Sequence, residues 1–302
     1  MKPSMCWIIY NGNLNSAKFT DFAQWMARAA EDAGITPILI KNNELLPLLH
    51  ERKLLLAGKE TELPAFVIFG DKDLFLARQL ELLGIPVYNS AETIERCDHK
   101  GKMYQALAAQ GLPLPKTIIA PKIFHTLSND DHLALFTAHL SFPLVIKEAY
   151  GSFGMQVYLV HNETELREKV AALGATEYIV QEMITSSWGK DIRLNVVGGQ
   201  VIAAMQRSSE TDFRANITAG GRSMPYDPSD EEVALAIACA SAVNAAFAGV
   251  DLLFGPDGSP IVCEINSNAH IRSIYECTQI DVAPAMIAHI QSDLARRNGM
   301  IG

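Results

Sequence analysis

The sequence predicts an α/β protein whose N-terminal part is a parallel sheet covered by helices. In the N-terminal third of the chain, short apolar runs alternate with helical patterns, which is the order of a parallel sheet with crossover helices. The chain has 302 residues and 49% of them are hydrophobic, so it can bury more than one core. We therefore expect two or three lobes, the first of them an α/β domain.

The N-terminal strands and helices follow from hydrophobic spacing. Residues 6–10 form an apolar run that predicts a strand, and residues 19–33 repeat apolar side chains at helical spacing up to Gly34, a residue typical of helix C-termini. The same reasoning predicts strands at residues 37–40, 65–69 and 85–88 and a helix at residues 74–83. We place the first domain at residues 1–92.

The rest of the chain also alternates strands and helices. Residues 91–110 have a helical pattern, and Gly111-Leu-Pro-Leu-Pro115 ends it. Strands are predicted at residues 116–120, 144–147, 155–160, 178–183, 191–197, 200–207, 250–254 and 260–265, and helices at 163–173, 231–247 and 282–297. We expect a second domain at residues 93–185 and a third at residues 186–302.

Charge and cysteine content argue against several classes of function. The formal net charge of −9 gives no electrostatic footprint for nucleic acid. No apolar run reaches the length of a membrane span, and no signal-peptide stretch follows Met1. The five cysteines are scattered and odd in number, which is typical of reduced thiols. We expect a cytoplasmic protein that binds neither nucleic acid nor membranes.

A glycine-containing turn and a lysine form the first candidate site. Gly151-Ser-Phe-Gly154 lies between two apolar strands, where backbone N–H groups could close over phosphates. Lys147 ends the preceding strand and could place an ammonium on phosphate oxygens. Taken alone, the two features are better explained by an ordinary glycine hairpin and a solvated lysine at a strand end.

Asp251, Glu264 and Asn266 form the second candidate site. The two carboxylates lie on strands joined by Gly255-Pro-Asp-Gly258, a strong turn signal, so a hairpin could turn both to one side. Asn266 follows Glu264 by two residues and shares its strand face. Hard oxygen ligands of this kind suit Mg²⁺, and carboxylates inside apolar strands are costly unless they are paired or metal-bound. We interpret the trio as a metal site.

Three arginines are candidates for stabilising a transferred phosphoryl group. Arg193, Arg207 and Arg214 come from neighbouring strand or loop segments, and a guanidinium neutralises charge that develops on such a group. A surface ion pair is the alternative for each of them.

Several motifs follow one another in a specific order. They are His99-Lys-Gly-Lys-Met103, Leu144-Val-Ile-Lys147 with the glycine turn, Val180-Gln-Glu-Met183, Asp191-Ile-Arg193, Asp212-Phe-Arg-Ala-Asn216, Gly249-Val-Asp251 and Glu264-Ile-Asn266. In this order they resemble the RimK-like ATP-grasp family of glutamate ligases. The resemblance covers essentially the whole chain and is strongest from about His99 to Ile265.

The resemblance implies an ATP-grasp fold with an N-terminal pre-ATP-grasp domain, a central lobe carrying the glycine turn as a lid, and a C-terminal lobe with the metal site. It implies that ATP is bound through its phosphates, its adenine and its ribose. The residues implied for the phosphates are Lys100, Lys147, Gly151, Ser152 and Gly154. Gln181 and Glu182 are implied for the adenine, and Asp191 for the ribose.

The resemblance also implies a catalytic centre. Asp251, Glu264 and Asn266 would hold two Mg²⁺ ions, for which Mn²⁺ can substitute. Arg207 would neutralise an acyl phosphate and Asn216 would shape the reacting centre. Arg193 would meet the carboxylate or the nucleotide.

Two segments depart from the family pattern. After Asn266, the familiar small-residue and Pro-Gly continuation is replaced by Ser267-Asn-Ala-His270, and Thr218-Ala219 stands before two glycines where a His-Arg pair is common. Both lie where the acid and the amine meet in the family. The resemblance therefore supports the ATP-dependent activation step more strongly than it supports a particular substrate. His270 is open to two interpretations, an acid/base or substrate contact and a structural or capping role.

The function we expect is ATP-dependent ligation of a carboxylate to an amine through an acyl phosphate, with release of ADP and phosphate. Glutamate or another amino acid is the expected substrate, and the acceptor could be a free amino acid, a peptide or a protein tail. Association into a homo-oligomer is left open. Two alternatives are an ATP-binding regulatory protein without turnover and an ATP-dependent phosphotransferase.

Overall fold

The computed structural model describes residues 4–14, 17–58, 62–125, 131–151, 154–215 and 220–299. Two of the predicted site residues, Ser152 and Asn216, lie outside these ranges, as do Thr218 and Ala219.

The described residues form strands and helices in an alternating order. The strands are β1 Met5–Tyr10, β2 Thr36–Lys41, β3 Leu45–His50, β4 Lys53–Gly58, β5 Phe66–Phe69, β6 Val87–Tyr88, β7 Thr117–Ile119, β8 Leu144–Glu148, β9 Val157–Val160, β10 Tyr178–Glu182, β11 Lys190–Val197, β12 Gln200–Ser208, β13 Arg222–Pro225, β14 Phe247–Phe254 and β15 Pro260–Asn266. The helices are α1 Ala17–Asp32, α2 Leu74–Leu82, α3 Ala91–Asp98, α4 Lys100–Ala109, α5 Asp131–His139, α6 Glu163–Leu173, α7 Asp230–Ala242, α8 Ile271–Thr278 and α9 Ala283–Gly299, with short 3₁₀ turns at Asn42–Glu44 and Thr185–Ser187.

The N-terminal sheet is parallel, as the sequence predicts. Its order is β2-β1-β5-β6, and each pairing is parallel. Side chains of β1 alternate between two cores: Cys6 and Ile8 pack with α1, and Trp7 and Ile9 pack with residues of α2 and α3. Burial on both faces explains why its strands read as continuous apolar runs.

A hairpin that the sequence analysis does not predict follows this sheet's second strand. β3 and β4 pair in an antiparallel manner across a turn at Glu51 and Arg52. Both turn residues have positive φ, 46° and 64°, a conformation usually signalled by glycine or asparagine. Because neither residue type is present at the turn, the sequence carries no local signal for this hairpin.

The second sheet is antiparallel, with the order β7-β10-β8-β9. α5 and α6 pack on it through Phe136, Leu166 and Val170. Helix α5 is also absent from the predicted elements. The glycine turn joins β8 to β9, which pair side by side.

The third sheet is antiparallel, with the order β13-β12-β11-β14-β15. The helix predicted at residues 231–247 is wrong in its last part, because α7 ends at Ala242 and Phe247 already begins β14. Asn244 has a positive φ of 56°, which ends the helical path. The first six residues of β14 are buried, so its continuous apolar run looks like an extension of the helix.

The helix predicted at residues 91–110 is two helices. His99 is extended, with φ −98° and ψ 103°, and its side chain accepts a hydrogen bond from the Lys102 backbone N–H. It therefore ends α3 and caps α4, which places Lys100 at the first position of α4.

The N-terminal and third sheets share one core. Met26 of α1, Met205 of β12 and Ile287 of α9 belong to the same buried cluster. Each sheet draws its strands from one of the predicted domains 1–92, 93–185 and 186–302, and these boundaries remain a prediction. Within the described ranges, no helix combines the length and apolarity needed to cross a membrane.

Candidate active site

A cleft of about 1030 Å³ is lined by residues of the second and third sheets and by helix and loop residues of the N-terminal part of the chain. Most of the predicted site residues line it: Lys100, Lys147, Gly151, Gly154, Gln181, Glu182, Asp191, Arg193, Arg207, Glu264 and Asn266. Asp251 is 3% exposed and lies directly behind this wall, bound to Arg193 and Arg207. We call the part around Lys100, Lys147, Arg193 and Arg207 the basic end of the cleft.

Lys147 lies on β8 at the floor of the basic end. Only 9% of the residue is exposed, and its Nζ donates to Tyr104 Oη at 3.4 Å. Burial acts to lower the pKa of Lys147, but the neighbouring Tyr104, Cys263 and Glu264 outweigh it and raise the pKa above its ordinary value. The side chain is therefore a buried ammonium that faces the cleft.

Lys100 provides a second buried cation. It is 5% exposed, and its Nζ is 3.6 Å from Glu264 Oε1. Its backbone N–H donates to Ala149 O at 2.9 Å, which ties the start of α4 to the residues before the glycine turn. The cap that His99 makes on α4 thus places this lysine.

The glycine turn borders the same end. Gly154 has a φ of +73°, a conformation that favours glycine. Its carbonyl accepts a hydrogen bond from Arg214 Nη1 at 2.6 Å, and Arg214 is also paired with Asp212 at 2.6 Å. The turn is therefore held against the Asp212-Phe-Arg motif.

Gln181 and Glu182 of β10 lie in the wall of the cleft. Gln181 is 1% exposed; its Nε2 donates to Thr117 Oγ1 at 2.7 Å, and its Oε1 accepts from Tyr104 Oη at 3.4 Å. Glu182 Oε1 accepts from the Ser141 backbone N–H at 2.9 Å. Gln181 is thus held by Thr117 and Tyr104, and Glu182 by the loop before β8.

Four charged side chains form a buried ladder across β12, β11 and β14. Asp191 takes two hydrogen bonds from Arg207, at 2.7 and 2.6 Å. Arg207 Nη2 also lies 3.0 Å from Asp251 Oδ2. Asp251 in turn takes two bonds from Arg193, both at 2.7 Å. Two carboxylates and two guanidinium groups alternate, so the ladder is neutral as a whole.

The two aspartates of the ladder differ in pKa. Burial raises the pKa of Asp191, and the single partner Arg207 does not reverse this. Burial acts in the same direction on Asp251, but Arg193 and Arg207 together hold its pKa below the usual value. Asp251 is therefore a carboxylate with both oxygens engaged. Asp191 and Arg193 find their partners on different neighbouring strands, Asp191 on β12 and Arg193 on β14, because β11 lies between these two strands.

The proposed metal ligands fit a hard cation. Asp251 stands directly opposite Glu264 in the β14–β15 pairing, and Asn266 stands opposite Gly249. The Glu264 side chain is 31% exposed toward the cleft, and Asn266 Nδ2 lies 3.5 Å from Asp251 Oδ2. Among the described residues there is no cluster of three or more Asp, Glu, His or Cys side chains that could hold a metal. Two carboxylates and an amide still suit Mg²⁺, which keeps water and phosphate ligands.

Two residues of the basic end are missing from the predicted set. Tyr104 links Lys147, Gln181 and the Cys263 carbonyl, to which its hydroxyl donates at 2.6 Å. Its position four residues after Lys100, on the same helical face, is a signal that could have found it. Arg214 was considered with the other arginines but was not assigned to the site, although it lines the cleft and holds the glycine turn.

A second group of lining residues, which we call the far end of the cleft, comes from helices and loops. The far end is lined by Asp21, Asp71, Lys72, Asp98, Arg272 and Glu276. Arg272 Nε donates to Asp21 Oδ2 at 2.7 Å, and its guanidinium lies over the Trp25 ring at 5.1 Å. Lys72 pairs with Asp98.

The departing segment Ser267–His270 lies beside the far end. His270 immediately precedes α8, and its side chain makes no capping hydrogen bond there. Nearby, the pKa of Asp21 is lowered mainly by its hydrogen bond to Arg272, with a smaller contribution from His270. The His270 side chain therefore does not cap α8, and its structural role and its role as an acid/base or substrate contact both stay predictions.

The fold is that of ATP-grasp ligases. The structure of ATP-grasp ligase PsnB complexed with minimal precursor matches it with a TM-score of 0.69 at 21% identity, over 96% of this chain and 100% of that one. The D-alanine--D-alanine ligase from Bacillus anthracis complexed with ATP matches with a TM-score of 0.72 at 17% identity, over 99% and 100%.

Sequence comparison shows which family of ATP-grasp proteins the chain resembles. The model of the RimK-like ATP-grasp domain matches residues 97–290. A protein of Xanthomonas axonopodis pv. citri called "Probable alpha-L-glutamate ligase" is 34% identical over 225 residues, 74% of each chain. The "Uncharacterized protein MG012 homolog" of Mycoplasma pneumoniae is 34% identical over 231 residues, 74% of this chain and 79% of its own.

The chain therefore belongs to the RimK-like ATP-grasp family. It is an ATP-dependent ligase that joins a carboxylate to an amine, and it uses ATP with Mg²⁺.

Proposed function

We propose that this ligase activates a carboxylate as an acyl phosphate, which an amine then converts to an amide. The observation that carries the proposal is the convergence of two buried cations, Lys100 and Lys147, with Glu264 and Asn266 in one cleft. Buried ammonium groups are costly unless anions meet them. A polyphosphate supplies such anions, and the oxygen ligands suit its Mg²⁺.

The proposed reaction has two steps. A carboxylate oxygen attacks the γ-phosphorus of ATP, the bond to the bridging β–γ oxygen breaks, and ADP leaves. The amine nitrogen then attacks the acyl carbon, the bond to the phosphate oxygen breaks, and the nitrogen loses a proton to solvent. Positioning and charge stabilisation suffice for both steps.

Lys147 and Lys100 hold the transferred phosphoryl group in this proposal. Both are nearly buried, so their charges act at low local dielectric. Lys147 is fixed by Tyr104, and Lys100 by its place at the start of α4. The backbone of Gly151 and Gly154 closes over the phosphates, and Arg214 holds that turn.

The ladder gives Arg207 and Arg193 a positioning role beside their charge. Each guanidinium is already offset by a carboxylate, so net positive charge at the basic end comes mainly from Lys100 and Lys147. We propose that Arg207 faces the acyl phosphate while Asp191 fixes its orientation. In this assignment the main role of Asp191 is to orient Arg207, and binding of the ribose is an additional role.

Glu264, Asn266 and Asp251 would hold Mg²⁺, which supplies charge neutralisation and alignment of the phosphates when bound. We propose two ions, with Mn²⁺ as a functional substitute. Glu264 and Asn266 offer oxygens at the cleft wall. Asp251 already receives hydrogen bonds on both oxygens. It can therefore bind a metal only if Arg193 moves away or if one Asp251 oxygen contacts both the metal and Arg193.

An amino acid, with glutamate as the first to test, is the proposed substrate. Support comes from the name of the Xanthomonas relative, "Probable alpha-L-glutamate ligase". A peptide acceptor is the next to test, since the PsnB structure contains a precursor. The far end, where Arg272 and Asp21 lie, is the proposed place of the variable substrate.

Trapping with hydroxylamine tests this function. If an acyl phosphate forms before the amine arrives, the correct acid with Mg-ATP and hydroxylamine gives hydroxamate and ADP in equal amounts. Glutamate, aspartate and other small carboxylates would be screened, with Lys147→Met as the control that should lose both products. Release of ADP without hydroxamate, for every acid that stimulates turnover, would overturn the proposal in favour of phosphotransfer. No acid-dependent ADP release at all would indicate a protein without turnover.

A further inference from the structure

The segment Ser267–His270 links the metal-ligand strand to the far end of the cleft. It follows Asn266 directly and leads into α8. Ser267, Asn268, Ala269 and His270 all line the cleft. Its conformation therefore affects both the proposed metal ligand and the substrate.

The N-terminal lobe holds this segment through Asn89, which follows β6. Asn89 is fully buried, with 0% exposure. Its Nδ2 donates to the Ser267 carbonyl and to the Phe247 carbonyl, both at 2.8 Å. Its Oδ1 accepts from the Ala246 backbone N–H at 2.8 Å. One amide thus joins the start of β14 to the residue after Asn266.

Neighbouring contacts seat the rest of the segment. Asn268 Nδ2 donates to the Asp71 carbonyl at 2.8 Å. A Cβ added at Gly249 would come within 2.6 Å of Ala269 Cβ, so the segment packs directly on β14. Gly249 stands opposite Asn266 in the β14–β15 pairing. A shift of Ser267, the next residue in the chain, would therefore move Asn266 and disturb its packing against Gly249.

We infer that Asn89 is a positioning residue of the ligase reaction: it holds the Ser267 carbonyl and thereby orients Asn266 and the substrate-facing Ser267–His270 segment. Asn89 itself is not among the residues that line the cleft, so it acts through the segment that it holds. Its two donated bonds cannot be replaced by water inside a fully buried site without moving the segment. This inference rests on the proposed function.

Thr93 provides a matched control. It is also fully buried, and its Oγ1 lies 3.1 Å from Val243 O and 2.9 Å from Asn244 O. It therefore connects α3 to the residues just before β14 without contacting Ser267. A loss of stability alone should appear in Thr93→Val and Asn89→Ala alike.

The experiment compares Asn89→Ala, Asn89→Ser and Thr93→Val with the unaltered protein. Asn89→Ser keeps one hydroxyl donor and serves if Asn89→Ala does not fold. At a temperature well below unfolding, we expect the Asn89 variants to lower kcat/KM for the acid and the amine about tenfold or more. Thr93→Val should stay within about twofold. Amide hydrogen exchange at residues 267–270 should speed up about tenfold in the Asn89 variants only.

The readouts separate the two proposals. If the unaltered protein shows no acid-dependent turnover, the proposed function fails, and the exchange of residues 267–270 still tests the role of Asn89. Equal effects of the Asn89 and Thr93 substitutions on kcat/KM and on exchange would overturn the inference and leave Asn89 as a stabilising residue only.

Discussion

The basic end and the far end of the cleft are built from different parts of the fold. Lys147 and Arg193 project from strands that are hydrogen-bonded on both sides, and Glu264 projects from the edge strand β15. Asp21 and Arg272 project from helices instead. Lys100 and Lys147 are 5% and 9% exposed, while the side chains of Lys72 and Arg272 are 42% and 47% exposed. The difference indicates that the proposed ATP-binding residues are held firmly by their surroundings. Residues at the far end can then vary without disturbing the ATP-binding residues.

The largest expected effect lies at the basic end. Glu264→Gln removes a charged oxygen ligand for Mg²⁺ and should lower kcat by about 1000-fold. Its side chain is 31% exposed, so the melting temperature should change little. Turnover would be measured by ADP release with saturating acid and amine. The exposed Glu168→Gln on α6 is the matched control, and comparable activity of the two variants would break the metal assignment.

A smaller effect is expected for the buried lysine. Lys147→Met keeps the side-chain length but removes the charge that faces the phosphates, so kcat/KM for ATP should fall about 100-fold. Steady-state kinetics with varied ATP would measure it. Lys72→Met at the far end should leave KM for ATP unchanged. A rise in KM for ATP with Lys72→Met would show that the two ends are not separate.

Stability should also distinguish the two ends. Asp251→Asn leaves Arg193 and Arg207 without their shared carboxylate in a buried site, and should lower the free energy of unfolding by about 3 kcal/mol. Urea unfolding would measure this loss. Asp21→Asn breaks a more exposed pair with Arg272, so its effect should be much smaller. Equal losses of unfolding free energy in the two variants would show that the buried ladder stabilises the protein no more than the exposed Asp21–Arg272 pair does.

The smallest effect should be confined to the substrate. Arg272→Met removes the cation at the far end and should raise KM for the acid or the amine roughly fivefold, with KM for ATP unchanged. Kinetics with each substrate varied in turn would show which one responds. An effect on KM for ATP alone would place the nucleotide, and not the variable substrate, near α8.

Sequence reasoning was most informative where local signals are strong. The turn at residues 255–258 was enough to predict that Asp251 and Glu264 lie on adjacent strands, and the pairing puts them directly opposite each other. The parallel N-terminal sheet followed from alternation of strands and helices. In both cases residues close in sequence determine the geometry.

Partners distant in sequence could not be predicted in the same way. Arg193 and Asp251 meet because β11 pairs with β14 in a particular register, and local periodicity does not specify that register. The hairpin β3–β4 was missed because its turn uses Glu51 and Arg52. Helix α7 was extended too far because the mostly apolar residues 243–247 continue its pattern. The far end was unpredictable for the same reason, since α1 and α8 meet only in the folded chain.

The core shared by α1, β12 and α9 has a consequence for the order of folding during synthesis. Met26 leaves the ribosome long before Ile287, yet both belong to one buried cluster. The side of α1 that packs against α9 is therefore exposed until nearly the whole polypeptide has been made. Contacts of this sequence separation slow folding and favour aggregation of incomplete chains. We expect nascent chains that stop before α9 to depend on chaperones, however regular the N-terminal sheet is.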